Sequence, residues 1–283
     1  MNVFSQFLDR YRIQPGPPDL PSLTQLASAF AFLPYENVTK ILKQVRSCSP
    51  DAKLRQPEEV IADHLRWNTG GTCFSLCNAF LNVLRHSGYN AFIAMGDMHY
   101  ATNIHCAIIV NMGGARYLLD PGYLLHEPIL LPAGVEETVV RTSMNLVIVR
   151  GEADNRFSLY TLESGREKWR YRLKAWPAPE TEFVAHWIHS FSLNSMEHLT
   201  LSRVDAAGRL YFRKNSLERV ASRSREKCLL ESNCADELSR IFGIPADLIL
   251  QARNAVTGRG NARTDSSAMP EGRASNTSAL SYG

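Results

Sequence analysis

In this 283-residue chain the spacing of apolar residues changes at Tyr89 from every third or fourth position to every second, which divides a helical region from a β-rich one. Upstream, Phe4, Phe7, Leu8 and Tyr11 lie at helical spacing before Pro15-Gly16-Pro17-Pro18 interrupts the chain. Leu23, Leu26, Ala27, Phe30 and Ala31 mark a second amphipathic segment, and Glu58 to Leu65 a third. The clearest helix runs from Cys73 to His86, with Phe74, Cys77, Leu81 and Leu84 on one stripe and Gly88 as its stop. Downstream, Ala91 to Met95, His105 to Met112, Arg116 to Asp120, Val139 to Val149, Phe157 to Leu162 and Trp169 to Ala175 are short β-rich runs divided by turn residues. The expected class is α+β: helices over residues 1–88, then a sheet or barrel over 89–178.

Beyond Pro177-Ala178-Pro179 the pattern is mixed. A helix is expected near Thr181 to His189, strands at His198 to Val204 and Leu210 to Arg213, and a further helix from Cys234 to Phe242. Residues 254–283 hold almost no large apolar groups and are expected to be disordered.

The net charge of +3 calls for neither nucleic acid nor an anionic membrane as partner, although a weakly basic surface suits a phosphorylated substrate. No segment approaches the eighteen or so apolar residues of a membrane span. The first ten residues lack the basic and apolar regions of a secretion signal. Six scattered cysteines read as reduced thiols, so the expected location is the cytoplasm.

The chemistry is concentrated at Thr69-Gly70-Gly71-Thr72-Cys73-Phe74, where two glycines lead a cysteine into the first turn of a helix. A helix N-terminus and an imidazole are the usual means of ionising a thiol. His105 and Asp120 follow in chain order. With Gly113-Gly114 as a two-residue hairpin turn, Met112 faces Ala115 and Val110 faces Tyr117. Extending that register brings His105 and Asp120 to one face as diagonal neighbours, with Cβ atoms roughly 7–8 Å apart or slightly less. The same register turns Cys106 away, into the core. Asp120 would then orient His105, and His105 would take the proton of Cys73.

Each residue also has an ordinary explanation: a small core cysteine, a structural histidine, and a turn at Asp120-Pro121-Gly122. Cys73 and Cys77 with His64, His99 or His105 could suggest zinc, but one Cys-x3-Cys pair is a weak metal signal, and no metal is assigned. Trp67, Phe74, Tyr123 and Trp187 could line a pocket for a flat substrate, or could serve as core.

These motifs resemble those of the arylamine N-acetyltransferase family. Phe7-Leu8-Asp9-Arg10-Tyr11 and Leu33-Pro34-Tyr35-Glu36-Asn37-Val38 resemble the family's N-terminal patterns, and Thr69 to Ser75 its nucleophile motif. Ile104 to Val110 resembles its histidine strand, Asp120-Pro121-Gly122-Tyr123-Leu124 its aspartate motif, and Trp187 to Arg203 a later stretch more faintly. The resemblance spans about residues 3 to 250. It implies a papain-like Cys-His-Asp fold: a helical bundle over 1–88 carrying Cys73, a β-barrel over 89–178 carrying His105 and Asp120, and an α/β lid over 179–253. It further implies ping-pong acyl transfer from acetyl-CoA, or another acyl thioester, to an arylamine, hydrazine or other amine. Phe74, Gly122 and Tyr123 would contact substrate, and no cofactor would be permanently bound. Biosynthetic relatives form amides from carrier-bound acyl chains. A hydrolase or transglutaminase-like enzyme using the same residues, and an inactive binding protein of the same fold, are the other readings.

Thr69 stands where the family motif has arginine, Ser75 where it has glutamate, and Leu124 where it has glycine. Glu36 therefore needs a different partner, and Arg66 is the candidate.

Overall fold

A computed structural model describes residues 2–142, 146–163, 165–205, 207–221, 224–231 and 234–266. The N-terminal third contains α1 (Val3–Arg10), α2 (Leu20–Phe30), a two-residue strand β1 (Tyr35–Glu36), α3 (Val38–Arg46), α4 (Pro57–Trp67) and α5 (Cys73–His86). Asp19 caps α2 by accepting from the Ser22 N–H at 2.8 Å, and Pro21 sits in its first turn, where a missing N–H costs nothing. Helix α5 has the bounds its spacing predicts, whereas α3 has no counterpart among the expected segments.

The strands β2 (Asn90–Met98), β3 (Ala101–Met112), β4 (Ala115–Leu119), β5 (Ile129–Leu130), β6 (Glu137–Arg141), β7 (Leu146–Gly151), β8 (Arg156–Glu163) and β9 (Arg166–Lys174) form one antiparallel sheet. Its order is β5-β4-β3-β2-β9-β8-β7-β6, and the two edge strands approach each other, so the sheet is a nearly closed barrel. The run Val139 to Val149, expected as one strand, is instead split between β6 and β7, which pair antiparallel with Val139 opposite Ile148.

Strand β3 explains its own unbroken apolar sequence. Cys106, Ile108 and Val110 pack toward α5 and the helical core, while Ala107 and Ile109 point into the barrel. A strand buried on both faces loses the polar half of its alternation.

After α6 (Glu180–His189) come β10 (Thr200–Asp205), β11 (Gly208–Arg213), β12 (Ser216–Val220), β13 (Arg225–Leu229), α7 (Ala235–Phe242) and α8 (Ala246–Ser266). Helix α8 corrects the expectation of disorder from residue 254, since the helix continues to Ser266; residues 267–283 lie outside the described residues. The second sheet has the order β1-β10-β11-β12-β13, so a strand from the N-terminal third completes a sheet of the C-terminal region. Asn37 locks this junction: its side chain donates to the carbonyls of Ser195 (3.0 Å) and His198 (2.8 Å) and accepts from the Thr200 N–H (2.8 Å). Among the described residues no helix is long and apolar enough to cross a membrane.

Candidate active site

The loop that delivers Cys73 is strapped to β1. The Glu36 N–H donates to Gly71 O at 2.9 Å, and the Gly71 N–H donates to Pro34 O at 3.3 Å. A Cβ on Gly70 would stand 2.0 Å from Pro34 O, and one on Gly71 would stand 2.2 Å from Ser75 Oγ. Only glycine permits this close approach, which is why the pair precedes the cysteine.

Three buried side chains hold the loop from below. Glu36 accepts from the Thr39 N–H (2.9 Å), the Thr39 hydroxyl (2.6 Å) and the Gly70 N–H (3.3 Å). Arg55 donates to Gly70 O and to Thr39 Oγ1 (2.9 Å), pairs with Asp63 (2.8 Å), and comes within 4.0 Å of Glu36. His64 puts Nδ1 at 3.1 Å from Thr69 O and Nε2 at 2.6 Å from the Tyr11 hydroxyl. A neutral ring, protonated on Nδ1, satisfies both contacts, and burial holds its pKa down at about 4.

The structure corrects the partner expected for Glu36. Arg66 lies over the Trp67 ring, 4.6 Å from its centroid, and Arg55 takes the place beside the carboxylate. Arg55 precedes α4, outside any motif, and no local spacing marks it.

Cys73 opens α5, where unpaired backbone N–H groups favour a negative sulfur. His105, on β3, is buried and sends Nε2 to Asp120 Oδ2 at 2.8 Å, leaving Nδ1 for the thiol. Asp120 is fully buried at the end of β4 and also accepts from the Tyr171 hydroxyl (2.6 Å) and the Tyr123 N–H (2.9 Å). The hairpin has the register that a Gly113-Gly114 turn predicts: Met112 pairs with Ala115, Val110 with Tyr117, and Ile108 with Leu119.

Gly122 joins the two halves. A Cβ built there would stand 2.7 Å from Cys73 Cβ and 3.2 Å from His105 Cε1. The helix tip and the strand, far apart in sequence, thus meet against one glycine.

The electrostatics follow from these contacts. The Cys73 thiol is pushed well below the ordinary thiol range, chiefly by a hydrogen bond from the Cys106 thiol. Burial opposes the shift, while His105 and the Lys40 ammonium add to it. Burial also disfavours a charged His105, yet the Asp120 carboxylate and Cys73 raise its pKa well above the usual imidazole range. The pair thus favours thiolate and imidazolium over thiol and imidazole.

Cys106 is buried on the face it shares with Ile108, Val110 and Leu119, as its strand register predicts. Tyr171 is a second residue that sequence reasoning missed. It arrives from β9 and faces the imidazole with ring centroids 4.4 Å apart.

The cleft above Cys73 has a volume of about 340 Å³, and Phe74, Gly122 and Tyr123 line it together with His105. The Phe74 ring is stacked at 6.3 Å on Trp187, which stands behind the wall. Trp67 lies under Arg66, away from the cleft. Cys77 donates to Cys106 O at 3.2 Å, and among the described residues no group of three or more His, Cys, Asp or Glu is placed to hold a metal ion.

Comparison with known proteins converges on one description. A family model described as N-acetyltransferase matches residues 19–249. The arylamine N-acetyltransferase of Mycobacterium abscessus superposes with a TM-score of 0.75 at 18% identity, covering 90% of this chain and 94% of that one. That of Salmonella typhimurium gives 0.74 at 19% identity, over 90% and 99% of the two chains. A Bacillus cereus arylamine N-acetyltransferase described as having a unique Cys-His-Glu catalytic triad gives 0.68 at 18% identity, over 87% and 99%. An uncharacterized acetyltransferase of Acanthamoeba polyphaga mimivirus is 30% identical over 93 residues, a match spanning 30% of this chain and 46% of that protein.

Proposed function

The chain belongs to the arylamine N-acetyltransferase family, and from that premise we propose that it transfers an acyl group from a thioester to an amine by a ping-pong reaction through S-acyl-Cys73. The observation that carries this reading is the linked set of Cys73, His105 and Asp120, with the imidazole bonded to the carboxylate at 2.8 Å and both the Cys73 Cβ and the imidazole ring set against Gly122.

In the first half-reaction the Cys73 thiolate attacks the carbonyl carbon of acetyl-CoA or another acyl thioester. The tetrahedral intermediate collapses with cleavage of the bond to the donor sulfur, which leaves as a thiol after taking the His105 proton. In the second, an arylamine, hydrazine or other amine attacks the S-acyl carbon. His105 Nδ1 accepts the proton of the attacking nitrogen, and the Cys73 thiolate departs. Asp120 orients the ring throughout and offsets its charge when protonated. Phe74, Gly122 and Tyr123 form the walls against which the two substrates lie. Free thiols suit a reducing compartment, so the cytoplasm is the proposed setting.

Intact-mass spectrometry tests the proposal. Incubation with acetyl-CoA or a panel of acyl thioesters is expected to add one acyl mass, located on Cys73, and Cys73→Ala is expected to abolish it. Addition of an amine should remove the acyl group and yield an amide. Failure of every thioester to label Cys73 would refute the transferase reading, and release of ammonia from amide substrates would select a hydrolase instead.

A further inference from the structure

One buried amine takes no part in the reaction described above. Lys40, on α3, is 7% exposed, and its ammonium donates to Ser190 O at 3.0 Å and to Ser190 Oγ at 2.6 Å. The nitrogen also stands 4.6 Å from the centre of the Phe191 ring. Among the described residues no carboxylate is paired with it, and the nearest in sequence, Glu36, is engaged by Thr39, Gly70 and Arg55. A buried cation without a counter-ion is unfavourable, so chemistry that removes the charge is favoured at this position.

Lys40 and its anchor Ser190 both line the cleft that holds Cys73, and among the described residues no other lysine does. An acyl group on the Cys73 sulfur therefore shares a space of about 340 Å³ with this one primary amine. Burial lowers the Lys40 pKa to about 8. At neutral pH roughly a tenth of the side chain is then the free, nucleophilic amine, against well under about a thousandth for an ordinary lysine.

We propose that Lys40 is an internal acyl acceptor: when substrate amine is scarce, the acyl group of S-acyl-Cys73 passes to the Lys40 nitrogen and stays there as an amide. This rests on the acyl-transfer reading and adds a modification site to it. The ammonium first gives one proton to water, and rotation of its flexible four-carbon stem carries the nitrogen from Ser190 toward the thioester. The nitrogen lone pair attacks the carbonyl carbon, a C–N bond forms, and the C–S bond breaks with its electrons left on sulfur. His105 Nδ1 takes the surplus proton of the nitrogen, which restores the thiolate and imidazolium. A tethered amine needs no encounter, so it competes with free acceptors present below millimolar concentration. Its product also removes the uncompensated buried charge. Cys73 can then be loaded again, beside a Lys40 that is neutral.

Intact-mass spectrometry with a hydroxylamine step tests this, because neutral hydroxylamine cleaves thioesters and spares amides. Wild-type enzyme incubated with acetyl-CoA and no acceptor is expected to reach two acetyl masses. Hydroxylamine should remove one, and peptide mapping should place the other on Lys40. In enzyme loaded briefly and then freed of donor, the hydroxylamine-labile mass should fall as the stable mass rises. An excess of 4-methoxyaniline added with the donor should suppress the stable adduct. Cys73→Ala should form at least about tenfold less of it, because the acyl group must come through the thioester. Lys40→Arg, which keeps the charge but is not acylated, should show only the labile adduct.

A wild-type adduct removed entirely by hydroxylamine overturns the proposal and leaves acyl transfer through Cys73 standing. Equal stable labelling in Cys73→Ala also overturns it, since the donor would then acylate the amine directly. So does a stable adduct that maps to a lysine other than Lys40 or that persists in Lys40→Arg. If no thioester labels Cys73 at all, the transfer reading falls and the internal acceptor with it.

Discussion

Gly122→Ala adds a single methyl group at the place where the helix carrying the thiol meets the strand carrying the imidazole. Its Cβ would stand 2.7 Å from Cys73 Cβ, 3.2 Å from Cys73 Cα and 3.2 Å from His105 Cε1. Carbon atoms rest at about 3.5–4.0 Å, so the deepest overlap is roughly 1 Å. None of the three atoms is the end of a flexible side chain. Cys73 Cα and Cβ are fixed to α5, and the His105 ring is held by Asp120. Gly122 has no positive φ, so alanine meets no backbone penalty there, and the effect is steric alone. The helix tip and the 120–124 turn must therefore separate by most of an ångström. Overpacking of this kind is expected to destabilise the fold by about 1–3 kcal/mol. Displacing the sulfur from the imidazole is expected to cost about a hundredfold in acylation rate. Stopped-flow release of free CoA from acetyl-CoA measures the second quantity, and denaturant unfolding measures the first. Gly16→Ala, with nothing within 4 Å of the new methyl, is the control and should match wild type in both. Acylation by Gly122→Ala within about threefold of wild type would refute the geometry argued for this junction.

Three further outcomes are expected. The lowered thiol pKa predicts that iodoacetamide labelling of Cys73 persists below neutral pH and declines only as pH falls through that depressed value. Asp120→Asn should move the inflection upward and slow labelling at about pH 6 by about tenfold or more, as read by a pH series of alkylation rates. Arg55→Met strands Asp63 and the Gly70 carbonyl and is expected to cost about 3–5 kcal/mol in urea unfolding, and a loss under about 1 kcal/mol would contradict the role given to Arg55. His64 is held neutral by burial with a folded pKa of about 4 against an ordinary value near 6.5, so the unfolded chain binds the extra proton first. Its contribution to stability should accordingly be complete above about pH 6.5 and fall by about 3 kcal/mol as pH drops to about 4. The stability gap between wild type and His64→Gln should narrow over that window, and a constant gap would count against a neutral buried ring.

Local pattern determined much of this molecule. The period change at Tyr89 separates helices from strands because a half-buried helix and a half-buried strand repeat their apolar residues at different intervals. The bounds of α5 and the pairing across Gly113-Gly114 were legible for the same reason, and the second places His105 beside Asp120 from sequence alone. What local pattern could not supply was anything that depends on distant segments packing together. The approach of Cys73 to His105 across Gly122 and the phenol of Tyr171 on Asp120 both arise from packing of α5, β3 and β9. Arg55 in place of Arg66 makes the point most plainly. Both are arginines near α4, and nothing in their neighbours distinguishes them, yet one is buried under the glycine loop and the other lies across Trp67. Spacing along the chain reports which face of an element a residue occupies. Which charge ends up beside which is decided by the burial of whole elements against each other, because that burial removes the water that would otherwise make one arginine as good as the next.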